Sequence, residues 1–274
     1  MENIAIIQPV NDGTTQNFFT GSVPRNYDNF MGPILLNSYA ADLVNRVKGT
    51  GKIKVLELAA GTGRVTKPLL AALPDAQILA TDISEDMMDI AKESIISENL
   101  NWQNVNMMEI PFADNEFDLI ICQFGLMFVP NKPKALTEMY RVLKPGGQLL
   151  FNTWGNLDLN PVWQISFNLF RETFGELPML KENGPFGLPA VEPVIELMAV
   201  ANFTNITGTE VHKMTEVASA STVANGFLMT QPMLKDKPDV FAAMYQKLQQ
   251  ALLEKLGDNP LRSPLLALVF EATK

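Results

Sequence analysis

Between residues 54 and 154 short apolar runs alternate with helix-patterned segments, and few architectures accept that rhythm. "KVLEL" precedes "RVTKPLLAAL", and "QILAT" precedes "SEDMMDIAKESII"; then come "NVNMM", "FDLIIC", "KPKALTEMYRVL" and "QLLFNT". The short runs are rich in apolar residues, as buried strands are, while the longer pieces space their apolar residues for one helix face. Strands separated by helices of this length are joined by parallel crossovers, which predicts an α/β sheet covered on both sides. Ser84, ahead of the acidic pair "ED", marks a helix start. The "KPGG" at 144–147 supplies a helix stop and a turn into the next strand.

Outside this core the pattern is mainly helical. The first fifty or so residues read as short helical pieces, with an apolar periodicity over 34–47. After residue 154, "NPVWQISFNLFRETFG", "AVEPVIELMAVANF" and "DVFAAMYQKLQQALLEKLG" read as helices, and "FTNITGTEV" and "PLLALVFEATK" as two further strands. A last strand must complete a sheet begun earlier. The expectation is therefore one domain over 1–274: a helical cap over 1–50, a core over 51–154, and helical insertions with the last two strands over 155–274.

Composition narrows the partners. The chain has 274 residues, is 47% hydrophobic and 19% charged, and carries a net charge of -9 without a cluster of Lys or Arg. That argues against a surface that tracks nucleic-acid phosphates or is drawn to anionic membranes. No run of about 18 apolar residues suggests a membrane span, and "MENIAIIQPV" lacks the basic start and longer apolar stretch of a signal peptide. A soluble, cytoplasmic protein is expected. Cys122 is the single cysteine, within the apolar "DLIICQF", and reads as a buried inert thiol.

The first strand runs into "ELAAGTGR", where Ala59, Ala60, Gly61 and Gly63 leave the backbone uncovered for a ligand. Asp82 follows Gly63 by nineteen residues, just past the second strand, where a carboxylate suits the two hydroxyls of a ribose. Ligands of open α/β sheets bind at the carboxyl ends of strands, so the pair indicates an adenosine-type ligand. A dinucleotide fingerprint needs G-x-G-x-x-G/A, and the third small residue is replaced here by Thr66. A nicotinamide oxidoreductase is disfavoured.

"ELAAGTG" resembles the first motif of class I S-adenosylmethionine (SAM)-dependent methyltransferases, with Ala59 in place of the first glycine. The likeness continues through "TDISEDMMDIA" and "MMEIPFADNEFDLIICQFGLMFVPNKPKALTEMYRVLKPGGQLLF", and is closest to the ubiquinone/menaquinone-biosynthesis branch of small-molecule enzymes. The resemblance implies a Rossmann-like seven-stranded sheet of order 3-2-1-4-5-7-6, the last strand antiparallel. It also implies roles. Glu57, Ala59 and Gly61 would line the methionine portion of the cofactor, with Gly63 also among the cofactor-binding residues. Asp82 would hold the ribose, Ile83 and Met87 would flank the adenine, and Asn106 and Met107 would meet its edge. Gln123 would sit near the transferred methyl, and an aromatic such as Tyr27 would close over the cofactor.

Methyl transfer from a sulfonium is a direct displacement that needs alignment and water exclusion, with a base only when the nucleophile must lose a proton. His212, the sole histidine, is the one candidate base, although a lone histidine at a strand end is more often structural. No Cys/His/Asp spacing indicates a metal. The place after the fourth strand reads "CQFGLMF" rather than [DNS]-P-P-[FYW], which disfavours nucleic-acid amines as acceptors. Phe19, Phe124, Phe128, Trp163 and Phe167 are the candidate walls of an apolar acceptor pocket; Trp163 and Phe167 also have the spacing of core residues. The expected activity is transfer of a methyl group to a small, fairly apolar molecule. The alternative is a non-catalytic protein of the same fold that binds SAM and serves as a partner.

Overall fold

The computed structural model describes residues 19–175 and 183–274. "MENIAIIQPV" lies outside the described residues. One seven-stranded sheet has the order β3-β2-β1-β4-β5-β7-β6, as the resemblance implies. Its strands are β1 (Lys54–Leu58), β2 (Gln77–Asp82), β3 (Leu100–Asn104), β4 (Phe117–Gln123), β5 (Leu143–Trp154), β6 (Thr204–Val217) and β7 (Leu261–Thr273). The first five run parallel, and β7 is antiparallel to both β5 and β6. Helices α3 (Thr66–Ala72), α4 (Glu85–Lys92) and α5 (Lys132–Val142) are the crossovers of the parallel part. Helices α6 (Pro161–Phe174), α7 (Val191–Val200), α8 (Ala220–Met229) and α9 (Pro238–Leu256) follow β5. None of the described helices is long and apolar enough to cross a membrane.

The central strands are apolar because both their faces are covered: Val55, Leu56 and Leu58 on β1 and Ile120 and Ile121 on β4 are essentially inaccessible. Burial of each such side chain contributes about 1.5–3 kcal/mol. Ser84 caps α4 by accepting from the Met87 N–H at 3.3 Å, with Glu85 and Asp86 in the first turn where the helix dipole favours acids. The "KPGG" residues stay out of the β4–β5 ladder, whose register passes from Phe117↔Leu143 to Leu119↔Gln148. Gly146 takes φ 79° there, and its N–H donates to the Lys274 carbonyl at 2.9 Å.

Two elements differ from the sequence reading. The third strand is not "NVNMM" but Leu100–Asn104, paired with Ile78–Asp82. An edge strand with exposed residues does not need a continuous apolar run, so "LNWQN" conceals it. The periodicity over 34–47 is only partly an α-helix. The cap consists of α1 (Val23–Asn26), a π-helical stretch Tyr27–Leu36 and α2 (Asn37–Asn45). Pro33 has no N–H to give, and the Asn37 N–H reaches five residues back to the Gly32 carbonyl, widening the turn.

Candidate active site

A cleft opens at the carboxyl ends of β1, β2 and β4, with about 1070 Å³ of empty space that includes open solvent. Two left-handed residues shape its floor, Ala59 (φ 53°) and Gly61 (φ 56°), and Gly63 (φ 81°) turns the chain onward to α3. The loop is fixed from β2. The Gly61 N–H donates to Asp82 Oδ2 and the Ser84 N–H to Asp82 Oδ1, both at 2.8 Å. Both carboxylate oxygens are thus held by backbone N–H groups, and a carboxylate has further lone pairs with which to meet a vicinal diol. Burial raises the Asp82 pKa above its ordinary value, opposed by the backbone N–H groups of Ser84, Gly61 and Ile83.

Glu57 is buried one residue before the end of β1, beside this loop, and its Oε2 has no hydrogen-bond partner. Burial pushes its pKa up to about 8, opposed by Thr66, with the Asp82 charge adding to the rise. A buried carboxyl oxygen without a donor is costly in a bare protein and suited to a cationic ligand group. Further along the cleft Ile83, Met87, Val105, Asn106 and Met107 form a mostly apolar slot. Asn106 Oδ1 already accepts from the Met108 N–H at 2.9 Å, which leaves the carbonyl one further lone pair. The orphaned Glu57, the half-used Asp82 and the apolar slot fit, in order, an ammonium, a ribose and an adenine.

The opposite wall is aromatic. Phe124 holds φ 51°, rare for a bulky residue, secured by its N–H donating to Asn152 Oδ1 at 2.9 Å. Its ring stacks on Trp154 at 4.2 Å. Phe128 lies nearby, and Phe19 meets both Tyr27 (5.9 Å) and Phe128 (6.3 Å) edge-on. The cap is tied down by Ser84 Oγ donating to the Phe19 carbonyl (2.9 Å) and by the Gly21 N–H donating to Asp86 (3.1 Å). Gln123 Oε1 is buried in this wall without a partner.

Of the residues expected at the site, Phe19, Tyr27, Glu57, Ala59, Gly61, Asp82, Ile83, Met87, Asn106, Met107, Gln123, Phe124 and Phe128 line this cleft. Four expected residues do not. A Cβ on Gly63 would stand 2.3 Å from Ile95 Cδ1, so its missing side chain serves the approach of the segment after α4 rather than a ligand. Trp163 and Phe167 pack in a separate aromatic group with Trp154, Phe186 and Phe227. His212 is an exposed residue of edge strand β6, 3.4 Å from Glu210, and supplies no base to the cleft. Cys122 is buried, its pKa pushed up to about 12 chiefly by burial, the inert thiol expected. Arg64 and Thr62, next to the glycines, were missed; the only signal was a charged side chain directly after "GTG".

Residues 56–151 match a family model described as a methyltransferase domain. The chain is 37% identical over 134 residues to the ubiquinone/menaquinone biosynthesis C-methyltransferase UbiE of Pasteurella multocida, covering 47% of this chain and 49% of that protein. It is 32% identical over 167 residues to the demethylmenaquinone methyltransferase of Lactiplantibacillus plantarum, covering 57% of this chain and 70% of that one. The chain spans about half the length of the UbiE relatives it matches. Among solved structures it is similar to Haemonchus contortus phosphoethanolamine N-methyltransferase 2 in complex with S-adenosyl-L-methionine: TM-score 0.61, 16% identity, 97% of this chain and 61% of that one. At that identity the likeness concerns the fold alone. Motif, sheet order and sequence relatives agree, and the chain belongs to the class I SAM-dependent methyltransferases.

Proposed function

We propose that this chain transfers a methyl group from SAM to a ring carbon of a small, apolar acceptor of quinol type by direct displacement. The observation that carries the reading is the division of one cleft into a polar end with Glu57 and Asp82 and an aromatic end with Phe124 and Phe128. The names of the relatives supply the acceptor class. When bound, the cofactor supplies an electrophilic methyl on a sulfonium. Glu57 would hold the ammonium, Asp82 the ribose hydroxyls, and Ile83, Met87 and Met107 the adenine. Phe124 and Phe128 orient the acceptor ring, while Tyr27 and Phe19 exclude water, so the barrier falls through alignment and desolvation.

Both carboxylates serve the cofactor end, and the described residues of the aromatic wall include no general base. The acceptor would bring its own activation, as an ionised quinol does by making a ring carbon electron-rich. The carbon–methyl bond would form as the methyl–sulfur bond breaks to a neutral thioether, and the ring proton would then leave to solvent, restoring the aromatic quinol. The test is incubation with methyl-labelled SAM and a benzoquinol or naphthoquinol bearing a free ring position, followed by mass spectrometry. A product carrying one labelled methyl on carbon, with stoichiometric S-adenosylhomocysteine, is expected. SAM binding without any transfer to quinols would overturn the acceptor assignment and favour the non-catalytic alternative.

A further inference from the structure

The end of β4 and the loop after it bring Gln123, Phe124, Gly125, Phe128, Val129 and Pro130 to the cleft, and of these only Gln123 has a polar side chain. It stands between the two ends of the cleft. Cys122 before it pairs with Leu58, one residue short of the Ala59 turn, and Phe124 after it begins the aromatic wall. The Gln123 Oε1 is buried and has no hydrogen-bond partner. A buried carbonyl oxygen is costly until a donor reaches it.

The neighbouring amide does not supply that donor. Asn152 is the register partner of Gln123 on β5, and register partners share a face of the sheet. Its Oδ1 and its backbone carbonyl both accept from the Phe124 N–H, at 2.9 and 3.2 Å, which holds the side chain in place. Its Nδ2 is buried and also unpartnered, so the two amides do not satisfy each other. Asn152 is not among the described residues that line the cleft, whereas Gln123 is. The same contact fixes Phe124 in its left-handed backbone, with its ring stacked on Trp154. Gln123 is therefore an open hydrogen-bond acceptor beside a ring that is held rigidly.

We propose that Gln123 recognises a hydroxyl of the methyl acceptor, its Oε1 accepting from the O–H, so that the cleft selects aromatic hydroxyl compounds over apolar rings of the same shape. The inference rests on the quinol-type acceptor proposed above. A quinol that has lost one proton to activate its ring keeps one O–H, and that O–H is the donor that the Gln123 carbonyl lacks. Held at that oxygen and laid against Phe124 and Phe128, a flat ring has one orientation, which fixes the ring carbon that faces the methyl. A ring without a hydroxyl leaves Oε1 buried and unpaired, which is how a polar site rejects an apolar analogue.

The experiment titrates 1-naphthol and 1-methylnaphthalene, which has the same shape and no O–H, by their fluorescence in the presence of S-adenosylhomocysteine. The proteins are wild type, Gln123→Met, Gln123→Glu and Phe128→Ala. Gln123→Met should shift the affinity ratio roughly tenfold against naphthol, leaving methylnaphthalene within about twofold of wild type. Gln123→Glu, which keeps an acceptor oxygen, should retain most of the wild-type ratio. Phe128→Ala should weaken both probes alike and preserve the ratio. S-adenosylhomocysteine should bind wild type and Gln123→Met with affinities within about threefold of each other. If Gln123→Met keeps the wild-type ratio or weakens both probes equally, the amide does not read the hydroxyl and the proposal is overturned. A tenfold loss of S-adenosylhomocysteine affinity with the probe ratio unchanged overturns it too, and assigns Gln123 to the cofactor. Should Gln123→Met fail to fold, Gln123→Ala is read in its place by the same criterion. A wild type that binds neither probe removes the aromatic-acceptor reading and this inference with it, whereas a ratio insensitive to residue 123 removes this inference alone.

Discussion

Ala59 carries a backbone conformation that costs an L-residue about 1–2 kcal/mol, and it does so at the position where the family's motif has glycine. The opposing loop makes room for it: a Cβ on Gly125 would stand 2.4 Å from the Ala59 Cβ and 2.9 Å from Cys122 Sγ. The methyl of Ala59 occupies space that a side chain at 125 would need. Ala59→Gly is therefore expected to stabilise the protein by about 1 kcal/mol. Gly125→Ala should cost more than about 2 kcal/mol and be partly rescued in the Ala59→Gly background. Urea unfolding of the two single variants and the double variant reads this coupling; strict additivity would show that the two methyls do not meet. Glu57 gives a second prediction at this scale. Its folded pKa of about 8 lies above the ordinary 4.5, so the folded protein holds a proton that the unfolded chain has released between those values. Stability in the absence of ligand must then fall as pH rises from about 4.5 to about 8, at up to about 1.4 kcal/mol per pH unit. Glu57→Gln removes the Glu57 part of that slope, while Asp82, raised in the same direction, keeps its own. Equal slopes for wild type and Glu57→Gln in denaturation at pH 5.5, 6.5 and 7.5 would place the titration elsewhere.

Among the elements, legibility followed burial. β1, β2, β4 and β5 were readable because a strand covered on both faces has a continuous apolar code, and Ser84 and the "KPGG" turn marked helix ends by their own chemistry. β3 was not, since pairing on one edge asks little of its side chains, and the nearby apolar Met107 and Met108 serve the cleft instead. The π-helical stretch had one visible cause in Pro33. The tight fit of Gly32 against Arg64 depends on a residue 32 positions away, which no local pattern encodes. The site divides in the same way. Glu57, Gly61 and Asp82 stand at strand ends, where chain order alone fixes their position. Phe19, Tyr27 and Arg64 come together only through long-range contacts such as Phe19 with Ser84 and Arg64 with Asp28. The aromatic stripe of α6 carried a true signal for packing and none for which side it packs on.

At the scale of the whole molecule, the chain keeps two aromatic groups apart that its sequence does not distinguish. Phe19 and Phe128 stand at the cleft with Tyr27, a group made by the cap and the loop after β4. Trp154, Trp163, Phe167, Phe186 and Phe227 lie behind, where β5 meets α6 and α8, with Trp163 against Phe227 at 4.9 Å. Phe124 lines the cleft as well and is stacked on Trp154 and edge-on to Tyr39. The first group is positioned to meet a ligand and the second to join the helical layer to the sheet, so their substitutions should separate. Trp163→Ala is expected to cost about 3 kcal/mol of stability, as removal of a large core ring does, with the acceptor KM of the folded fraction within about twofold of wild type. Phe128→Ala should cost less than about 1.5 kcal/mol and raise the acceptor KM about tenfold, the loss of one apolar wall. Urea denaturation and steady-state kinetics on the same preparations measure both quantities. If Trp163→Ala raises KM as Phe128→Ala does while leaving stability near wild type, the helical layer reaches the acceptor and the two aromatic groups act as one pocket.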